Sequence, residues 1–216
     1  MIDLYKDHPA PGELARRSVV YGDPAALPGD RSLEAYPTRS TALLHLMPGQ
    51  ALPADPARSG VEILVVEGII SVDGAPLRQY GYVRRPRDPV PLVTAGTDAL
   101  LFVKRGHIPP DDTAETMLEP RAALWQPEPV SGLPVLPLYR HGGIAVVLRR
   151  YQAGAAPVTH RPPGGEEMLV LDGTLLDERS AYPRGSWIRQ PPGSLFQPYS
   201  IEGCLVYAQS GHLPVI

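Results

Sequence analysis

The chain has one cysteine in 216 residues, Cys204, which excludes an intramolecular disulfide framework and suits a reducing compartment. It has no uninterrupted apolar run near the roughly 20 residues that a membrane-spanning helix needs. Its first residues, MIDLYKDHPAPGELARR, carry no apolar signal core. A cytoplasmic protein is the expectation. Positive charge is not in excess either, and a net charge of -3 argues against nucleic acid or an anionic membrane surface as a general partner. What is abundant is punctuation. Twenty-seven prolines and 21 glycines, in a chain 43% hydrophobic and 20% charged, fit short strands and frequent corners better than long helices. The length allows one larger or two small domains, each able to bury a core.

The corners repeat. An offset of 105 residues pairs Leu43 with Leu148, Gly49 with Gly154, Glu62 with Glu167 and Gly68 with Gly173. The same offset pairs Arg84 with Arg189, Pro86 with Pro191, Gly106 and His107 with Gly211 and His212, and Pro109 with Pro214. It holds without a gap from Leu43 to Pro109, which predicts two copies of one module in tandem. Strand-like segments in the first copy are TALLHLMPG, VEILVVEGIISVDG, YGYVRRPRD and ALLFVKRGHIP, separated by turn residues. DDTAETMLEPRAALW, residues 111–125, reads as a helical turn and linker.

The second copy is the more specific. Between His160 and Ser194, two turn-rich corners, Pro162 to Gly165 and Pro191 to Gly193, flank the apolar run Met168 to Leu171. Gly154 leads six residues later to His160, six more to Glu166 and seven more to Gly173; Gly185 leads six later to Pro191 and two more to Gly193. Strand alternation puts Glu166, Met168 and Val170 on one face and Glu167, Leu169 and Leu171 on the other, both largely apolar, as in a strand buried on both sides.

These spacings, with PGGEE, LVLDGTLLDERSAYPRG and EGCLVYAQSGHL, resemble the cupin domain of the ChrR anti-sigma-factor family and its stand-alone relatives. The resemblance implies an all-β fold, a double-stranded β-helix (jelly roll, cupin) repeated twice as a bicupin. The expected division is an N-terminal extension 1–18, a first cupin module 19–110, a linker 111–125 and a second module 126–216. Where the family places its metal ligands, three histidines and one glutamate, this chain has His160, Pro162, Glu166 and Phe196. The matching positions of the first module are Asp55, Ala57, Val61 and Pro91, too few donors for a transition metal, so that module reads as scaffold or as an apolar pocket without metal.

Two readings of the second module stay open. In one, His160 and Glu166 hold a divalent metal (Fe, Zn, Mn or Ni), aided by Gln197 or Tyr199, and the protein is a metal-dependent dioxygenase or isomerase acting on a small ketone. In the other, the two residues hydrogen-bond each other as the remains of a site, and His160, Pro162, Glu166, Met168, Trp187 and Phe196 line a pocket for a small, partly apolar ligand in a regulatory or accessory role. A third function is purely structural, that of a dimerising partner. A homodimer is expected in the family's manner, whereas direct sigma-factor binding is not, because no cysteine-bearing helical domain precedes the first module. Arg84, Arg85 and Arg87 read as strand-end arginines paired with local carboxylates, His107 and His212 as structural, and Cys204 as a small buried hydrophobe.

Overall fold

The structure, a computed structural model, describes residues 18–20, 31–35, 39–53, 60–86, 93–120, 124–129, 131–155, 159 and 161–213. His160, Asp55, Ala57, Arg87 and Pro91 lie outside the described residues. The fold is all-β. The chain divides into two compact units, one of Pro28–Ala123 and one of Leu124–Ile216 joined by the N-terminal Met1–Leu27.

In the first unit the strands are β2 (Arg31–Ala35), β3 (Ser40–Leu46), β4 (Val61–Glu67), β5 (Ile69–Val72), β6 (Ala75–Arg78), β7 (Tyr82–Arg85), β8 (Val93–Ala95), β9 (Ala99–Arg105) and β10 (Thr116–Leu118). They form a six-stranded sheet in the order β10-β7-β4-β9-β3-β2 and a three-stranded sheet β6-β5-β8. The second unit holds β1 (Ser18–Val20), β11 (Gln126–Pro127), β12 (Pro134–His141), β13 (Ile144–Tyr151), β14 (Glu166–Leu176), β15 (Ala181–Pro183), β16 (Trp187–Gln190) and β17 (Cys204–Ser210). Their order is β1-β16-β14-β17-β13-β12-β11, with β15 on the far end of β14.

The two strand orders run in parallel. β4, β7 and β9 lie 105 residues before the matching parts of β14, β16 and β17, and each trio pairs in the same antiparallel register. Even the irregularities coincide, since the ladder slips between Val65 and Glu67 in one unit and between Val170 and Asp172 in the other. A glycine follows each slip. Gly68 and Gly173 have φ of 83° and 70°, and a Cβ on either would run into a facing carbonyl oxygen, that of Asp98 or of Gly203. Only glycine meets both demands.

Burial on both faces follows from composition: Val61–Val66 and Glu166–Leu171 are buried without interruption. Inside the first unit, Leu46, Val61, Ile63, Val65, Val83, Leu101 and Val103 pack into one apolar cluster. The opposite face carries a buried ion network. Arg84 Nε donates to Glu62 Oε1 at 2.8 Å and its Nη2 pairs with Asp112 at 2.7 Å, all three buried.

Within 111–125, where a helical turn and linker were expected, residues 121–123 lie outside the described residues. Thr116–Leu118 is the edge strand β10, antiparallel to β7, and Arg84 holds the segment before it extended by gripping Asp112 and the Ala114 carbonyl. β1, expected to lead into the first module, pairs with β16 through Ser18–Arg189, Val19–Ile188 and Val20–Trp187, within the second unit.

Candidate functional site

The site is built on the inward face of the second unit's sheet. Glu166 pairs in register with Gln190 and Met168 with Ile188, so these four share a face with Val170. On β13, Arg149 and Tyr151 alternate onto the same face, and Tyr151 joins Met168, Val170, Leu175, Tyr182, Ile188, Phe196, Cys204, Val206 and Ala208 in one core cluster. An apolar interior therefore ends in a polar group of Arg149, Tyr151, Glu166 and Gln190, each buried.

Arg149 organises that group. Its Nη1 donates to Glu166 Oε1 at 3.0 Å, and its Nη2 donates to Glu128 Oε1 at 2.8 Å from the connection between β11 and β12. Ser131 donates to the other oxygen of Glu128, and the Glu128 amide donates to the Leu133 carbonyl at 2.8 Å, so this carboxylate is fixed in turn. Burial alone would lower the guanidinium pKa; the Glu166 and Glu128 carboxylates outweigh it and hold the pKa well above its ordinary value. Burial pushes the Tyr151 phenol up despite Arg149 beside it, so the ring stays neutral. Among the described residues, Arg149 Nε and the Gln190 amide nitrogen are buried donors with no hydrogen-bond acceptor.

The expected site residues fall in different places. Glu166 and Met168 face inward, and Phe196 is fully buried in the same core cluster as Met168. Pro162 has no lone pair for a metal, and its role is in the backbone. Its carbonyl accepts from Gly165 at 3.1 Å and from Gly193 at 2.8 Å, clamping the two glycine corners together. Trp187 stands opposite Leu169, whose partner on the other side is Tyr207, on the other face from Met168, with Arg189 5.4 Å from its ring centre. Glu166 is bound by Arg149, and a mutual hydrogen bond with His160 falls on a residue outside the described set. The described donors are few for a transition metal: Glu166 is held by a guanidinium, and proline and phenylalanine stand at 162 and 196. Among the described residues no group of three His, Cys, Asp or Glu side chains converges on a point.

The outward face repeats the network of the first unit in altered form. Glu167 Oε2 lies 3.7 Å from Arg189 Nε and 3.5 Å from His212 Nε2, all buried. In the first unit His107 Nε2 meets Thr41 Oγ1 at 3.1 Å. Arg84 pairs with buried carboxylates and Arg85 reaches Asp73 and Glu115 at 3.9 and 3.5 Å. Sequence reasoning passed over Arg149, Tyr151, Glu128 and Gln190. A signal was there: 105 residues earlier stand Leu44, Leu46 and Val61 for Arg149, Tyr151 and Glu166, so polarity changes at one spot of an otherwise matching repeat.

Residues 113–214 match the family model described as the ChrR cupin-like domain. The whole chain is similar in fold to a putative dioxygenase from Nostoc punctiforme, with TM-score 0.69 and 17% identity over 94% of this chain and 81% of that one. It is as similar to a putative glyoxylate-induced protein from Pseudomonas aeruginosa, TM-score 0.69 and 15% identity over 98% of each chain. A cupin 2 conserved barrel protein from Leptotrichia buccalis follows at TM-score 0.57 and 11% identity, over 89% of this chain and 88% of that one. At such identities the likeness concerns the cupin jelly-roll fold alone. No curated protein matches the sequence significantly.

Proposed function

We propose that the chain is a bicupin whose first module is scaffold and whose second, ChrR-like module binds a small, partly apolar molecule in a regulatory or accessory role. The observation that carries this reading is the contrast between the two interiors. The first has Leu44, Leu46 and Val61 where the second carries Arg149, Tyr151 and Glu166 at the end of an apolar cluster, while Gln190 answers to Arg85, whose partners are the exposed Asp73 and Glu115. Cupin-family ligands bind inside the barrel, and a few convergent polar groups on an apolar wall are what small-molecule recognition requires. The buried Arg149 Nε and Gln190 amide are donors, so a ligand bearing a hydrogen-bond acceptor suits them. On this reading the module keeps no working metal centre, and the protein acts in the cytoplasm without nucleic acid or membrane, in keeping with its net charge of -3.

A metal-dependent dioxygenase or isomerase is the rival from another class. It needs Glu166 as a ligand, and the 3.0 Å bond to Arg149 opposes it. The test is a thermal-shift screen with small neutral and acidic carbonyl compounds. At a hundred times its Kd, a ligand stabilises the native state by about 2.7 kcal/mol. We expect at least one such compound to raise the melting temperature of the parent protein and to lose that effect in Gln190→Leu. A screen in which none does so sinks the binding role.

A further inference from the structure

We infer that the Arg149 guanidinium is the permanent cation of the second module, doing for Glu166 what a metal ion would do in a cupin of this family, so that the site works without metal. The inference rests on the small-molecule reading of the same site and says what holds that site together.

A carboxylate as buried as Glu166 needs a cation beside it or must give up its charge. A transition metal could serve, but it would draw on about three protein donors, and Pro162 and Phe196 stand at two of the positions that would supply them. A guanidinium serves with no other ligand. Arg149 reaches Glu166 at 3.0 Å and is fixed from its other side by Glu128 at 2.8 Å, which sets the plane of the fork. The repeat supplies an independent argument. The counterparts of Arg149 and Glu166 in the first unit, Leu44 and Val61, are both apolar, so the cation and the anion are present together or absent together.

A consequence follows that only this arrangement has. Removing the guanidinium leaves the Glu166 and Glu128 carboxylates around the place it vacated, with the Gln190 side chain in register beside Glu166. Two carboxylates left at one vacated cation position attract a divalent cation.

Thermal unfolding of the full chain tests this in the parent, Arg149→Ala and Arg149→Ala/Glu166→Gln proteins, each in EDTA and then with one equivalent of ZnCl2 or MnCl2. The parent is expected to melt at the same temperature under all conditions. Arg149→Ala is expected to melt lower by roughly 10 °C and to regain several degrees with the divalent ion. The double variant is expected to show no response. A parent that loses stability in EDTA, or an Arg149→Ala protein indifferent to both metals, overturns the inference. Should Arg149→Ala fail to fold, the parent decides alone: insensitivity to EDTA supports the assignment and sensitivity overturns it. Failure of the ligand screen beside these expected results would remove the binding role and leave the cation assigned. An EDTA-sensitive parent that still takes a ligand would do the reverse.

Discussion

Arg84 and Arg85 are chain neighbours in opposite circumstances. Arg84 is buried between Glu62 and Asp112, whereas the partners of Arg85, Asp73 and Glu115, are largely exposed. Breaking a buried ion network strands its remaining charges, so Arg84→Ala is expected to cost about 3–5 kcal/mol. Arg85→Ala is expected to cost under about 1 kcal/mol, and urea denaturation of the two variants checks the contrast. Cys204 is buried and its thiol is pushed up to about 12, chiefly by burial and then by Asp172. Thiol reagents at pH 8 should therefore react with it only after unfolding; prompt reaction of the native protein would contradict its placement. Tyr151 is raised in the same sense, also by burial first. Above roughly pH 9–10 an unfolded chain releases both protons while the folded chain keeps them. The unfolded state then binds fewer protons, and stability falls as pH rises, by up to about 1.4 kcal/mol per pH unit for each group. Urea midpoints should hold steady below that range and decline above it, less steeply in Cys204→Ala.

The strands around the site were legible because alternation, corner residues and the internal repeat all agreed. Met168 to Leu171 reads as a strand buried on both faces, and β14 is one. The repeat also located Gly68 and Gly173 before any geometry was known. Since each combines a positive φ with a facing carbonyl, Gly173→Ala is expected to cost at least about 1–3 kcal/mol, measurable as a lowered melting temperature. The edges were not legible. β1 and β10 are three residues each, too short for periodicity to mark. What makes β10 a strand is a long-range grip, Arg84 on Asp112 and Ala114. β1 closes the β16 edge of the second unit, so deleting residues 1–20 should speed amide hydrogen exchange in Trp187–Gln190 and leave β4 and β9 protected.

For the whole molecule, the family and the all-β fold could be read from spacing, because glycine and proline corners are dictated by backbone geometry alone. The candidate site could be read only in part. Glu166 was singled out because the family's pattern points to it, whereas Arg149 and Glu128, which bond to it directly or through the same guanidinium, were not. Glu128 lies 38 positions from Glu166 in the chain, and only the folded sheet brings both onto one guanidinium. The large apolar ring of Trp187 says nothing about which face of β16 it takes; the register sets it opposite Leu169, away from Met168. A protein that keeps the cupin frame while replacing its metal with a fixed ion pair should carry little divalent metal. Elemental analysis by mass spectrometry of the untagged protein, produced with added Fe, Mn, Ni and Zn and compared with its His160→Ala and Glu166→Gln variants, tests this most directly. The account predicts far less than one equivalent of any divalent ion in all three. Near-stoichiometric metal in the parent, lost in either variant, would contradict it and restore the enzyme reading.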